Sequence, residues 1–165
     1  MKNLMKKSIV GLLLAGVMTV TYAQQSMPMG KASKELGEKI AMEAMQDIMQ
    51  EAAKSGKEPK PEAVMKAMVD KMRANVDDMK KAATEDCTTL YGSDKASNCS
   101  CVTEKTNYEN VFNMMEKAAT NPEDVKKEGE AMQKEVEDIY KACDLDISVS
   151  KKAAEEMMKQ AAPKK

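Results

Sequence analysis

The stretch that decides the fold is Pro61–Glu85, PEAVMKAMVDKMRANVDDMKKAATE. Met65, Met68, Met72, Val76, Met79 and Ala83 recur at intervals of three and four, with Val64 and Val69 at the edges of the stripe. That is the period of an α-helix with one apolar face, not the alternation of a strand. Pro59 and Pro61 suit the entry to such a helix, where a missing N–H costs nothing. The spacing predicts one helix across the whole stretch.

The same chemistry continues on both sides. Upstream, Leu36, Ile40, Ala44 and Ile48 form a stripe on a first helix from about Lys34 to Lys54, stopped by Ser55-Gly56. Before it, Gln24–Ser33 contains Met27-Pro28-Met29-Gly30 and reads as a flexible leader. Downstream, Cys87–Ser100 is rich in Thr, Ser, Asp and Asn and contains Gly92, so it reads as the main break. A third helix is expected from about Cys101 to Ala119, burying Cys101, Tyr108, Val111, Phe112, Met115 and Ala119. Thr120-Asn121-Pro122-Glu123 then supplies a cap, a proline for the first turn and an acid for the positive end of the dipole. The fourth helix runs on to Cys143 with Val125, Gly129, Met132, Val136, Ile139, Tyr140 and Cys143 on one face. A short fifth helix is expected to start at Ser148 or Ser150 and carry Met157 and Met158. The predicted class is therefore all-α: an antiparallel four-helix bundle over residues 34–162 with a short C-terminal helix, and a tail at 163–165.

The N-terminus reads as a signal peptide over residues 1–23. Lys2, Lys6 and Lys7 precede an uncharged apolar run, Ser8–Val20, and Thr21-Tyr22-Ala23 places small residues before a cut at Gln24. The run of 13 residues is shorter than the roughly 18 to 20 needed to span a bilayer. The first cysteine is Cys87, so no lipid anchor is expected at the cut. No membrane insertion is expected after cleavage, and the compartment is read as the periplasm or, alternatively, the extracellular medium. Loss of residues 1–23, which carry three lysines and no acid, takes the net charge from −1 to −4 and leaves 142 residues.

Cys87, Cys99, Cys101 and Cys143 make an even set, which in an exported chain reads as two disulfides. In an up-and-down bundle all four fall at one pole, and Cys101 and Cys143 sit on core stripes. That favours Cys101–Cys143 with Cys87–Cys99, although four cysteines allow three pairings and spacing does not choose among them. A zinc site is disfavoured, because the chain has no His and no C-x-x-C pair. Thioredoxin-like chemistry at Cys99-Ser100-Cys101 lacks both the spacing and the surrounding fold.

Methionine is the remaining anomaly. Seventeen occur in the chain, while beyond the signal segment leucine stands only at Leu36, Leu90 and Leu145. On the second helix the methionines are the stripe itself, and so read as core. On the first helix the stripe is already complete, and Met42, Met45 and Met49 widen it past half the circumference at about 100° per residue. These three are the candidate face for a protein or apolar partner. Met27-x-Met29, Met42-x-x-Met45 and Met65-x-x-Met68 also have spacings that suit Cu(I) or Ag(I) thioether binding. A motif M-x-A-M-x-D-x-M occurs twice, at 42–49 and 65–72.

No nucleophile arrangement, phosphate loop or H-E-x-x-H is present, and zero His removes the commonest general base. Acidic net charge and few aromatic residues argue against a nucleic-acid partner. The expected function is thus a non-catalytic exported binding protein without a cofactor or resident metal. A Cu(I)/Ag(I) carrier and a purely structural or envelope-stress protein are the alternatives.

Overall fold

In the computed structural model, which describes residues 30–161, the chain is all-helical and carries two disulfides. The signal segment, Gln24–Met29 of the leader and the tail at 163–165 lie outside the described residues. The helices are α1 (Lys31–Ser55), α2 (Pro61–Ala74), α3 (Val76–Tyr91), α4 (Ala96–Lys105), α5 (Tyr108–Thr120), α6 (Pro122–Ala142) and α7 (Ile147–Ala161). A short 3-10 turn, Ser93–Lys95, joins α3 to α4.

α1 begins at Lys31, so residues 31–33 are helix rather than leader. Its first turn is capped from a distance: Ala32 N donates to Asp86 Oδ1 at 3.0 Å and Ser33 N donates to Asp86 Oδ2 at 2.9 Å. These are two of the four N–H groups that a helix start leaves unpaired, and the carboxylate also meets the positive end of the dipole. A Cβ on Gly30 would overlap the Asp86 carboxylate, so a larger residue there would have to displace the cap. At the far end Gly56 turns left-handed, with φ 64°, and its N–H reaches the Ala52 carbonyl at 2.9 Å.

The single helix expected over 61–85 is two. Asn75 interrupts it, its side-chain Nδ2 donating to the Lys71 carbonyl at 2.8 Å in competition with the backbone. The second part then runs six residues past Glu85, through Cys87 to Tyr91. The threonines that mark this segment as a break are satisfied inside the helix instead. Thr88 and Thr89 donate Oγ1 to the carbonyl four residues back, at 2.7 and 2.9 Å, as Thr84 does one turn earlier at 2.8 Å. The break is confined to Gly92–Lys95, where Gly92 has φ 103°.

The third expected helix is also two, because it starts five residues early and stops at Thr106. Thr106 Oγ1 closes α4 on the Val102 carbonyl at 2.8 Å. Asn107 then caps α5, its Oδ1 accepting from Asn110 N at 3.1 Å. α6 keeps its expected bounds. Asp144, left-handed at φ 53°, turns the chain after it, and Asp146 rather than Ser148 opens α7 by accepting the Ser148 N–H at 2.9 Å.

α1 packs on α2 and α3, α2 also on α5, α3 on α4, α6 on α5 and α4, and α7 on α3 and α6. Two buried clusters result. One gathers Cys99, Val102, Val136, Tyr140, Cys143 and Leu145 around the disulfides. The other holds Val69, Phe112 and Met115, with Met65, Met72, Val76 and Met79 packed half-buried against it. Val69, expected at the edge of its stripe, is fully buried because α2 is covered on two sides. Outside, Arg73 clasps α2 to α5 through Glu116 at 2.8 Å, Glu109 at 2.9 Å and Asn113 at 3.0 Å.

The remote cap makes a checkable demand. Asp86→Ala should lower the unfolding free energy in urea by about 1 kcal/mol or more, as losing a helix cap does. A change below the roughly 0.5 kcal/mol of an ordinary surface substitution would show that α1 does not depend on Asp86.

Candidate functional site

Two features stand apart from ordinary packing. The first is the outer flank of α1. Met42 is 63% exposed and Met49 65%, with Met45 half-buried between them. Ile40, Ala44 and Ile48 take the inward face, so the flank is surplus to the core.

The second feature lies inside. A partly enclosed cavity of about 200 Å³ runs between the helices, and its wall is mostly carbon. α1 contributes Leu36, Gly37 and Ile40; α3 contributes Met79, Ala82, Ala83 and Leu90; α5 contributes Tyr108, Val111, Phe112 and Met115; α6 contributes Met132, Val136 and Ile139. Glu135 is the single charged residue of the lining. Interiors ordinarily fill such space, because each void forfeits dispersion contacts.

Gly37 is part of the reason the space stays open. It lies seven residues before the buried Ala44, hence on the same inward stripe. A Cβ added there meets nothing within 4 Å, and the backbone is ordinary helix. Glycine in a helix interior costs roughly 0.5 to 1 kcal/mol relative to alanine. Neither crowding nor a left-handed backbone calls for it at this place.

Polar groups on the wall are satisfied, with one exception. Ser150, fully buried, donates to Tyr140 Oη at 3.2 Å and lies 2.8 Å from Tyr91 Oη. Tyr91 Oη donates to the Asp146 carbonyl at 2.7 Å. Thr103 donates to the Ser100 carbonyl at 3.0 Å and lies 2.8 Å from Thr84 Oγ1. Tyr108 Oη alone among the described buried side-chain N and O atoms has no partner. Its ring stacks obliquely on Phe112, centroids 6.3 Å apart, while the Lys80 ammonium sits 6.0 Å over its outer face. Burial first, and the nearby Tyr140 second, push the Tyr108 phenol up to about 12. Burial likewise raises Tyr91 and Tyr140, with the Ser150 hydrogen bonds opposing.

Sequence periodicity located Tyr108, Val111, Phe112 and Met115 on one face, but gave no sign that they surround a void. Two signals were present: a helix-interior glycine at 37, and Asn107 as a cap just before Tyr108. Elsewhere, Cys87 is bonded to Cys99 and Cys101 to Cys143 with Cα–Cα separations of 5.7 Å in both, leaving no free thiol. No group of three or more His, Cys, Asp or Glu placed to hold a metal occurs among the described residues. Met27 and Met29 lie outside them, and Met65 and Met68 are half-buried on α2. No protein-family model, curated protein or solved structure matches the chain.

The three tyrosines predict a pH response. From Gln24 onward every tyrosine of the chain is one of them. Each phenol holds its proton more tightly folded than unfolded, so stability is complete below the unfolded pKa of about 10. It falls as pH rises from there through the folded values, the last near 12 for Tyr108. Absorbance at 295 nm should show little phenolate until above pH 10 in the folded protein and ordinary titration in urea. Overlapping folded and unfolded curves would contradict the burial.

Proposed function

We propose that the protein is an exported, non-catalytic binding protein that holds a small apolar molecule inside its helices. The signal-like segment and the two disulfides support export, since such bridges persist in oxidising compartments. No described helix is long and apolar enough to cross a membrane. In this reading the long helices form an antiparallel bundle closed by sulfur at one pole and hollow beside it. The observation that carries the function is the cavity: engineered apolar cavities of roughly 150 Å³ stay dry and take up benzene, and this one measures about 200 Å³.

The test is toluene binding to the oxidised protein, followed by calorimetry and by the rise in melting temperature. Gly37→Leu extends a side chain from the inward stripe into the void. It should weaken toluene binding at least tenfold while leaving the melting temperature equal or higher, since leucine favours helix. Toluene binding that survives Gly37→Leu unchanged would place the ligand elsewhere.

The exposed flank supports a second reading, in which Met42, Met45 and Met49 face a protein or apolar partner of the same compartment. Flexible thioether surfaces adapt to varied contacts. Brief peroxide treatment should oxidise Met42 and Met49 in the isolated protein and spare them in envelope extract. Equal oxidation in both would remove this reading.

A further inference from the structure

We infer that the cavity is built for an uncharged molecule with a single hydrogen-bonding group, such as a phenol or a small cyclic alcohol, and that Tyr108 Oη is the atom that reads that group. The inference rests on the cavity-binding reading above and adds what the ligand must carry.

Three observations lead there. First, Tyr108 Oη is buried without a partner on a wall whose other buried hydroxyls are all engaged. Native interiors rarely leave a polar atom so, because its lost hydration is not replaced. A complementary group on a bound molecule replaces it. Second, Tyr108 packs with Val111, Met72 and Met79 against the apolar cluster of Val69, Phe112 and Met115, whose side chains are carbon and thioether. A lone water needs two to four polar partners, and the side chains of this cluster offer none. Third, the lining contains one charge, the carboxylate of Glu135, and no cation. A buried carboxylate or phosphate ligand would find no cation in the lining to offset its lost hydration, which selects against fatty-acid anions and for neutral molecules. The raised Tyr108 phenol stays protonated throughout the physiological range, so it donates as well as accepts.

The size sets the scale. The void is somewhat larger than those that take benzene, so a single ring bearing a methyl and a hydroxyl fits the volume. The ligand's apolar body faces Phe112, Met115 and Val111, and its polar atom meets Tyr108 Oη.

The test compares p-cresol, toluene and p-toluate at pH 7, measured by calorimetry on the oxidised wild-type protein and on Tyr108→Phe. The phenylalanine variant removes an unpaired hydroxyl and keeps the ring, so it should fold with equal or greater stability. Wild-type should bind p-cresol about 3- to 10-fold more tightly than toluene, the span of one net hydrogen bond, and p-toluate more weakly than either. In Tyr108→Phe the preference for p-cresol should vanish while toluene binding is retained. Equal binding of p-cresol and toluene by wild-type, a preference that survives in Tyr108→Phe, or p-toluate binding as tight as p-cresol would each overturn the assignment while leaving the cavity reading intact. Failure of toluene and p-cresol alike would overturn both.

Discussion

The rest of the structure depends on a ten-residue helix held from two sides. Cys99 and Cys101 sit two positions apart on α4, so at about 100° per residue their side chains leave it roughly 200° apart. One bond runs to Cys87 on α3, the other to Cys143 at the end of α6. An isolated helix this short is marginal in water; between two covalent ties it becomes the peg on which α3 and α6 hang. Asn98 adds a hydrogen bond to the Cys143 carbonyl at 2.8 Å, and the buried cluster of Val102, Val136, Tyr140 and Leu145 fills the space around the sulfurs. In the chain-entropy model, loops of 12 and 42 residues correspond to stabilisation of about 3 and 4 kcal/mol.

That covalent support makes a hollow interior tolerable. Cores normally exclude voids because contact is what holds them, and this core has little to spend, with leucine nearly absent and methionine in its place. The disulfides act chiefly on the unfolded chain, so their contribution does not require that the space beside them be filled. Helix breaks shape that space. Had the chain run unbroken from Cys101 to Ala119, Tyr108 would continue the α4 face; the Thr106–Asn107 interruption lets α5 start in a new direction and brings Tyr108 and Phe112 to the cavity wall. The remote cap by Asp86 ties the start of α1 to α3, one turn before Leu36 and Gly37, which line the other side.

The repeated M-x-A-M-x-D-x-M motif shows how neighbours, not composition, assign a side chain its role. On α2 the outer methionines, Met65 and Met72, pack against Val69, Phe112 and Met115. On α1 their counterparts, Met42 and Met49, are exposed. The flank of α2 that carries Met65 and Met72 meets the α5 cluster, whereas the flank of α1 that carries Met42 and Met49 is left uncovered. Even the aspartates follow their surroundings, Asp47 pairing with Lys71 across the helices at 2.7 Å and Asp70 with Lys66 along its own helix at 2.7 Å.

By itself the sequence determined that the chain is helical, that the stripes of α1, α2 and α6 face inward, and where α6 begins, because periodicity and capping are local properties carried within one or two turns. It misplaced the ends around Asn75, Thr88 and Thr106 because Thr and Asn side chains can either leave a helix or close on its own carbonyls, and that choice depends on what lies beside them. The cavity, the isolated hydroxyl of Tyr108 and the exposure of Met42 and Met49 were decided only when the helices packed. Each of these is a relation between surfaces far apart in the chain: a void exists only where facing walls fail to meet, and no single stripe of residues records how far away its opposite lies.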